Sequence, residues 1–215
     1  MGRRFFVLRH GETHFNVEQK LQGHCNSPLT PKGRAQARAV GTALKSYLGP
    51  EFHFYASSLG RAVQTAEIVR AALGSAETPI IKEPRLMEFS LGLWEQRTVP
   101  SIRSQHPELD GAGDWYLHAP EAESFDEVRS RLASWLAQLP PQGDIVVVSH
   151  ALTGIALRGM LLDLSYEDCW RQDLPQDAFF IIEDGKVTRI DCTVTVEQNV
   201  EQNVEQLTEQ DVAVV

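Results

Sequence analysis

Short apolar runs alternate with longer amphipathic stretches along this chain, and that alternation outlines a fold. Phe5–Arg9 reads as a first strand, apolar on both faces. Thr30 then caps a helix with Pro31 at its first position; the alanine-rich stretch that follows runs to about Leu48 and stops at Gly49-Pro50. Phe52–Ala56 is a second strand, and Leu59–Leu73 a second helix closed by Gly74. Pro79–Lys82 is a short strand, and Arg85–Ala122 is irregular except for a helix near Val99–His106. Ser124 and Glu127 form a capping box for a helix ending at Pro140-Pro141. Ile145–Ser149 is the clearest buried strand, followed by a helix over Leu152–Leu162. Phe179–Glu183 and Lys186–Asp191, joined by Asp184-Gly185, read as a hairpin at a sheet edge. Strands alternating with helices predict an α/β fold with a mostly parallel sheet covered on both faces.

Composition narrows the picture. The 215 residues suit one α/β domain, with 42% hydrophobic and 23% charged residues. No apolar run is long enough to span a bilayer, and Met1-Gly2-Arg3-Arg4 carries no secretory pattern. Three widely spaced cysteines, Cys25, Cys169 and Cys192, match neither a disulfide framework nor a zinc pattern, so a cytoplasmic location is expected. The net charge of −9 disfavours nucleic acid as a partner. Five acidic residues of the stretch from Cys192 onward, with no Lys or Arg, leave only −4 for the body. That stretch repeats Val196-Glu197-Gln198-Asn199 at Val200 and nearly so at Val204. Its glutamates would stack at i,i+4, which disfavours a helix. The expected division is therefore a catalytic domain over residues 1–191 and an acidic low-complexity tail over 192–215.

The chemistry sits where strands end. Arg9-His10-Gly11-Glu12-Thr13 follows the first strand directly, and ligand-facing residues in parallel sheets lie at such carboxyl ends. Three more groups recur at equivalent places. Ser58-Leu59-Gly60-Arg61-Ala62 follows the second strand, Arg85-Leu86-Met87-Glu88 the third, and Ser149-His150 ends the clearest one. Two histidines, two arginines and a glutamate are thus expected to converge on one crevice. Neighbouring arginines keep His10 neutral, as an attacking nitrogen must be. Arg9 and Arg61 neutralise phosphoryl oxygens, His150 donates to one, and Glu88 exchanges a proton with the leaving alkoxide and then with water. The helix opening after His150 offers unpaired N–H groups to an anion.

Each residue has a plainer reading. Arg61 alone would be a solvated helix residue and His150 alone a strand-end histidine; their joint occurrence outweighs both. His10 and His14 are spaced like metal ligands, but a glycine turn separates them and no acidic cluster adjoins, so no metal is expected. His14, His24, His53, His106 and His118 read as surface or loop histidines, with His24 in a rim loop. Trp94, Trp115 and Tyr116 read as packing residues, and Cys25 as an inert thiol.

Taken together, Arg9-His10-Gly11-Glu12-Thr13 with Asn16, Gln22-Gly23 leading to Pro28-Leu29-Thr30, Ser58-x-x-Arg61-Ala62-x-Gln64-Thr65-Ala66, Glu88-x-x-x-Gly92-x-Trp94-Glu95, Glu123-Ser124 and Ser149-His150 carry a resemblance. Over roughly Arg4 to Asp191 the chain resembles the histidine phosphatase, or phosphoglycerate mutase-like, superfamily, in its branch of small cytosolic phosphatases. The resemblance implies a three-layer α/β/α sandwich, with His10 as phosphohistidine and Glu88 as acid/base. Arg9, Asn16, Arg61 and His150 would hold the phosphate without cofactor or metal. Gln22, Gly23 and His24 fall at the substrate rim. The sequence departs from the family at Asn26, Gln96, Ala122 and Ala151, which bears on substrate rather than on chemistry. Mutases of the family carry Arg and Tyr within Glu-Arg-x-Tyr-Gly to hold a carboxylate. Here the segment is Glu88-Phe89-Ser90-Leu91-Gly92. The leading expectation is hydrolysis of small phosphorylated metabolites, with a phosphoglycerate mutase as the alternative and a silent binding module as the third. A homodimer is compatible with all three.

Overall fold

The structure is a computed structural model that describes residues 3–193. The repeat tail lies outside the described residues. Six strands form one sheet in the order β3-β2-β4-β1-β5-β6. The strands are β1 (Phe5–Arg9), β2 (Phe52–Ser57), β3 (Ile80–Glu83), β4 (Asp144–Ser149), β5 (Ala178–Glu183) and β6 (Lys186–Asp191). The first four run parallel, while β5 pairs antiparallel with β1 and β6 with β5. This is the mostly parallel sheet with an antiparallel edge that the alternation predicts.

Side-chain alternation divides the core in two. Phe6 and Leu8 of β1, Phe54 and Ala56 of β2, and Val146 and Val148 of β4 pack under α2 (Pro31–Leu44) and α3 (Gly60–Leu73). Val7, Tyr55, Ile145 and Val147 face the other way, onto α5 (Phe125–Leu136) and α6 (Ala151–Leu162). A strand buried on both faces must be apolar at every position, which is why Phe5–Leu8 and Ile145–Val148 read as unbroken runs. The result is three layers.

The caps expected at Thr30 and Ser124 are present: Thr30 Oγ accepts from Gly33 N–H, and Ser124 with Glu127 completes a capping box. Two helices are shorter than expected. α2 ends at Leu44 and continues to Leu48 only as tight turns, and α5 ends at Leu136, well before Pro140. Two one-turn helices were not expected: α1 (His14–Val17), capped by Thr13 and Asn16, and α7 (Tyr166–Cys169), capped by Ser165. Residues 84–122 hold the helix α4 (Val99–Gln105) among 3-10 turns. They bury Phe89, Leu91, Trp94, Ile102 and Trp115 against the core on the α5–α6 side, so the segment is packed, not loose.

Candidate active site

The parallel register of β1 and β4 builds the site. Arg9 pairs with Ser149, and His10 N–H donates to Ser149 O at 3.0 Å, so His10 and His150 leave adjacent strand ends together. Their rings lie 5.2 Å apart, and both residues are buried. β2 ends beside them at Ser57, and the first turn of α3 turns Arg61 inward, 1% exposed.

The hydrogen bonds set the state of each imidazole. His10 Nδ1 donates to Gly11 O at 2.8 Å, which leaves a lone pair on Nε2; Arg61 Nε–H points at that atom from 3.2 Å. Burial first, then Arg61 and Arg9, push the His10 pKa well below its ordinary value, so the ring is neutral. His150 is pushed the same way by burial and then by Arg61, His10, Arg9 and Arg131. Ser57 Oγ accepts from Leu59 N–H at 3.3 Å, which frees its own proton for His150 Nε2 at 2.7 Å. The proton of neutral His150 then sits on Nδ1, a buried atom without a partner among the described residues. That is an unspent donor next to an unspent nucleophile.

Arg61 is anchored by backbone carbonyls, Nη1 to Cys25 O and Nη2 to Gly23 O, each at 2.8 Å. Burial lowers its pKa to about 10, so it remains a cation at neutral pH. Gly23 has φ +48, and a Cβ there would meet Glu95 Oε1 at 2.1 Å, so only glycine keeps this carbonyl on Arg61. Arg9 Nη1 donates to Leu174 O at 2.5 Å while its Nε stays buried and unpaired. Glu88, 7% exposed, accepts on Oε1 from Thr153 N–H and Phe89 N–H and on Oε2 from Leu152 N–H, while the one proton of Thr153 Oγ is shared between Met87 O at 2.7 Å and Glu88 Oε1 at 3.1 Å. The N-terminus of α6 therefore holds the carboxylate of Glu88. The anion at this helix end is the protein's own carboxylate. Oε2, with one partner, retains acceptor capacity.

A cavity of about 340 Å³ opens over these groups, within the range of small-molecule sites. Arg9, His10, Asn16, Arg61 and Glu88 line it, as do Gln22 and Gly23 of the rim. Lys20, Leu91, Tyr116 and Ala151 complete much of the wall. With three cations against one carboxylate, the cavity favours an anion. His150 lies outside this wall, against the ring of His10.

His24 does not line the cavity. Its Nε2 donates to Glu88 O at 2.8 Å, so it braces the glutamate's backbone, because the rim loop folds back under the 88–95 segment. Tyr116 packs as expected, stacked on Trp115 with ring centroids 4.0 Å apart, and it also lines the cavity wall. Cys25 is half-buried, and its thiol donates to Glu95 Oε2.

Residues 5–189 match the model of the histidine phosphatase superfamily (branch 1). The chain belongs to the histidine phosphatase superfamily. Among its relatives, a probable phosphoglycerate mutase GpmB of Escherichia fergusonii is 38% identical over 160 residues, covering 71% of this chain and 70% of that protein. Its counterpart in Proteus mirabilis is 37% identical over 165 residues, 73% and 72% of the two chains. Among solved structures, YhfR of Bacillus stearothermophilus superposes with a TM-score of 0.73 at 32% identity, covering 88% of this chain and 96% of that one. A putative alpha-ribazole-5'-P phosphatase of Escherichia coli superposes at 0.72 with 25% identity, covering 90% and 97%. Histidine phosphatase superfamily members are phosphatases or phosphoryl-transferring mutases, and this chain is an enzyme of that kind.

Several groups about the site of this histidine phosphatase escaped sequence reading. Ser57 and Thr153 each adjoin a motif, and their hydroxyls are legible only once their partners are in place. Leu174 contributes a backbone carbonyl, which no sequence pattern marks.

Proposed function

We propose that this enzyme hydrolyses phosphate monoesters of small metabolites in two steps through a phosphohistidine on His10. His10 Nε2 attacks phosphorus; the P–O bond to the leaving group breaks, and that oxygen takes a proton from Glu88, which enters the step as the carboxylic acid with the proton brought in by the monoanionic ester. Water then attacks the phosphohistidine, gives its proton to Glu88, and releases phosphate with His10 neutral again. Arg61 Nε–H, directed at Nε2 in the resting site, turns to a phosphoryl oxygen as the N–P bond forms. Arg9, the Asn16 amide and His150 Nδ1–H supply the remaining donors to the developing charge. These groups need no cofactor. Among the described residues no three His, Cys, Asp or Glu side chains are grouped to hold a metal ion. The free thiols suit a reducing cytoplasm, and no helix among the described residues is long and apolar enough to cross a membrane.

Hydrolysis is favoured over mutase chemistry by one observation. Where the family's mutases place Arg and Tyr, Phe89 is fully buried against Phe125 and Leu91 presents an apolar wall to the cavity. Leaving a substrate carboxylate unpaired there costs about 2–5 kcal/mol, so an intermediate with that group is not retained and water takes the phosphoryl group. The mutase reading rests on the names of the curated relatives and on Lys20, a cation in the wall already paired with Glu18 at 2.6 Å. Two assays on one preparation separate them: phosphate release from an aryl phosphate, and interconversion of 2- and 3-phosphoglycerate. We expect the first with little of the second. Fast isomerisation with negligible phosphate release would overturn the hydrolase reading.

A further inference from the structure

We propose that Gln176 is a positioning residue that fixes which face of the Asn16 carboxamide meets a bound phosphoryl group, an inference that rests on the phosphatase reading above. The orientation follows from a backbone atom. His10 O can only accept, so the group 3.3 Å from it must be the Gln176 nitrogen Nε2. The same nitrogen lies 3.0 Å from the Asn16 side chain, which must therefore present its oxygen. Thr13 N–H and Thr13 Oγ also point at that oxygen, each at 3.1 Å. With three donors on Oδ1, the Asn16 NH2 is left without a hydrogen bond among the described residues, on a side chain that lines the cavity. A flipped Asn16 would set donor against donor at Gln176 and Thr13 and turn a carbonyl oxygen toward the anion.

Gln176 cannot follow such a flip without setting its own oxygen against His10 O, and its segment is pinned in place. Buried Arg158 donates from Nη2 to Asp173 O at 2.7 Å with its guanidinium 3.8 Å over the Phe180 ring. Arg189 pairs with the Asp173 carboxylate, and Arg9 Nη1 holds Leu174 O. Residues 173–176 thus form a strap that carries one hydrogen bond to Arg9, one to Asn16 and one to the backbone of His10. It reaches three of the groups assigned to phosphate chemistry without touching the cavity at Gln176 itself.

The test compares wild type, Gln176→Leu, Gln176→Glu and Asn16→Ala, Gln176→Leu also being made in the Asn16→Ala background. Affinity for inorganic phosphate is measured by calorimetry, and thermal midpoint is measured alongside it. Gln176→Leu removes the donor, and Gln176→Glu replaces it with an acceptor of nearly the same shape. We expect phosphate affinity to fall about ten- to a hundredfold, the loss of one hydrogen bond to a charged group, with Glu the worse. KM for an aryl phosphate should rise in step. In the Asn16→Ala background Gln176→Leu should cost little more, since the lost donor acts through Asn16. Wild-type phosphate affinity in both Gln176 variants, or a full loss from Gln176→Leu persisting without the Asn16 amide, overturns the proposal. A wild-type protein that binds no phosphate overturns the phosphatase reading, and this inference with it; binding by wild type with no effect at Gln176 sinks this inference alone.

Discussion

Gly33→Ala tests how closely the motif loop and α2 must approach. Gly33 is the third residue of α2, and a Cβ there would meet Glu12 O at 2.1 Å and Glu12 N at 2.7 Å. The neighbouring loop is equally tight, because a Cβ on Gly11 would meet Gly33 O at 2.3 Å. Two effects oppose each other. Alanine is a better helix former than glycine by about 1 kcal/mol, whereas overpacking a fixed contact costs about 1–3 kcal/mol. Both clashing atoms are backbone, and Glu12 is held by Thr30 N–H at its carbonyl and by Gln36 at its amide, so the contact cannot be relieved by a rotamer change. Overpacking therefore wins, and stability falls by up to about 2 kcal/mol, a drop in Tm of roughly 4–8 °C for a chain of this size. Activity should suffer more than stability. To restore even a 3.0 Å contact the loop must move by about 0.9 Å, two residues from His10, and a misplacement of this order costs roughly a hundredfold in rate. Thermal melts and aryl phosphate kinetics on the same variant check both numbers. A Gly33→Ala enzyme with unchanged kcat would refute the claim that this approach holds His10 in register.

Three further outcomes are expected. His10 and His150 are held neutral below the ordinary imidazole value by burial and by arginines, so the unfolded chain binds more protons than the folded one as pH falls below about 6.5. Their contribution to stability is fully present above that pH and is lost as pH falls toward their folded values; urea midpoints at pH 7 and 5.5 read it, and activity should show no acid limb near 6.5. Chelators should leave turnover unchanged, and vanadate should inhibit as a trigonal-bipyramidal mimic; loss on chelation restored by a divalent ion would favour a metallophosphatase. Deletion after Cys192 should spare catalysis, because no proposed catalytic group lies beyond it, and a collapse of kcat with a retained melt would assign the tail a part in the site.

The sequence made the chemistry legible to the extent that chemistry lies at strand ends. His10, Arg61, Glu88 and His150 each follow an apolar run or open a helix, and the register of β1, β2 and β4 brings them together as that placement implies. What escaped depends on contacts between distant segments. Gln176 is one of several polar residues in the loop before β5, and it acquires meaning only because β5 returns antiparallel beside β1. The contacts of His24 with Glu88 and of Tyr116 with the cavity are hidden for the same reason: the rim loop and residues 84–122 are stitched by Leu21 N–H to Arg97 O and Gln96 N–H to Leu21 O, pairings without periodicity. The early ends of α2 and α5 reflect local turns that close before the Gly-Pro and Pro-Pro stops are reached.

The covalent intermediate is the central claim, and trapping it is the most direct test. Wild-type enzyme mixed briefly with a labelled aryl phosphate and quenched in base should carry one acid-labile, base-stable phosphoryl group, which peptide mapping should place on His10. His10→Ala should carry none and should not turn over. Label on another residue, or full activity in His10→Ala, would contradict the account.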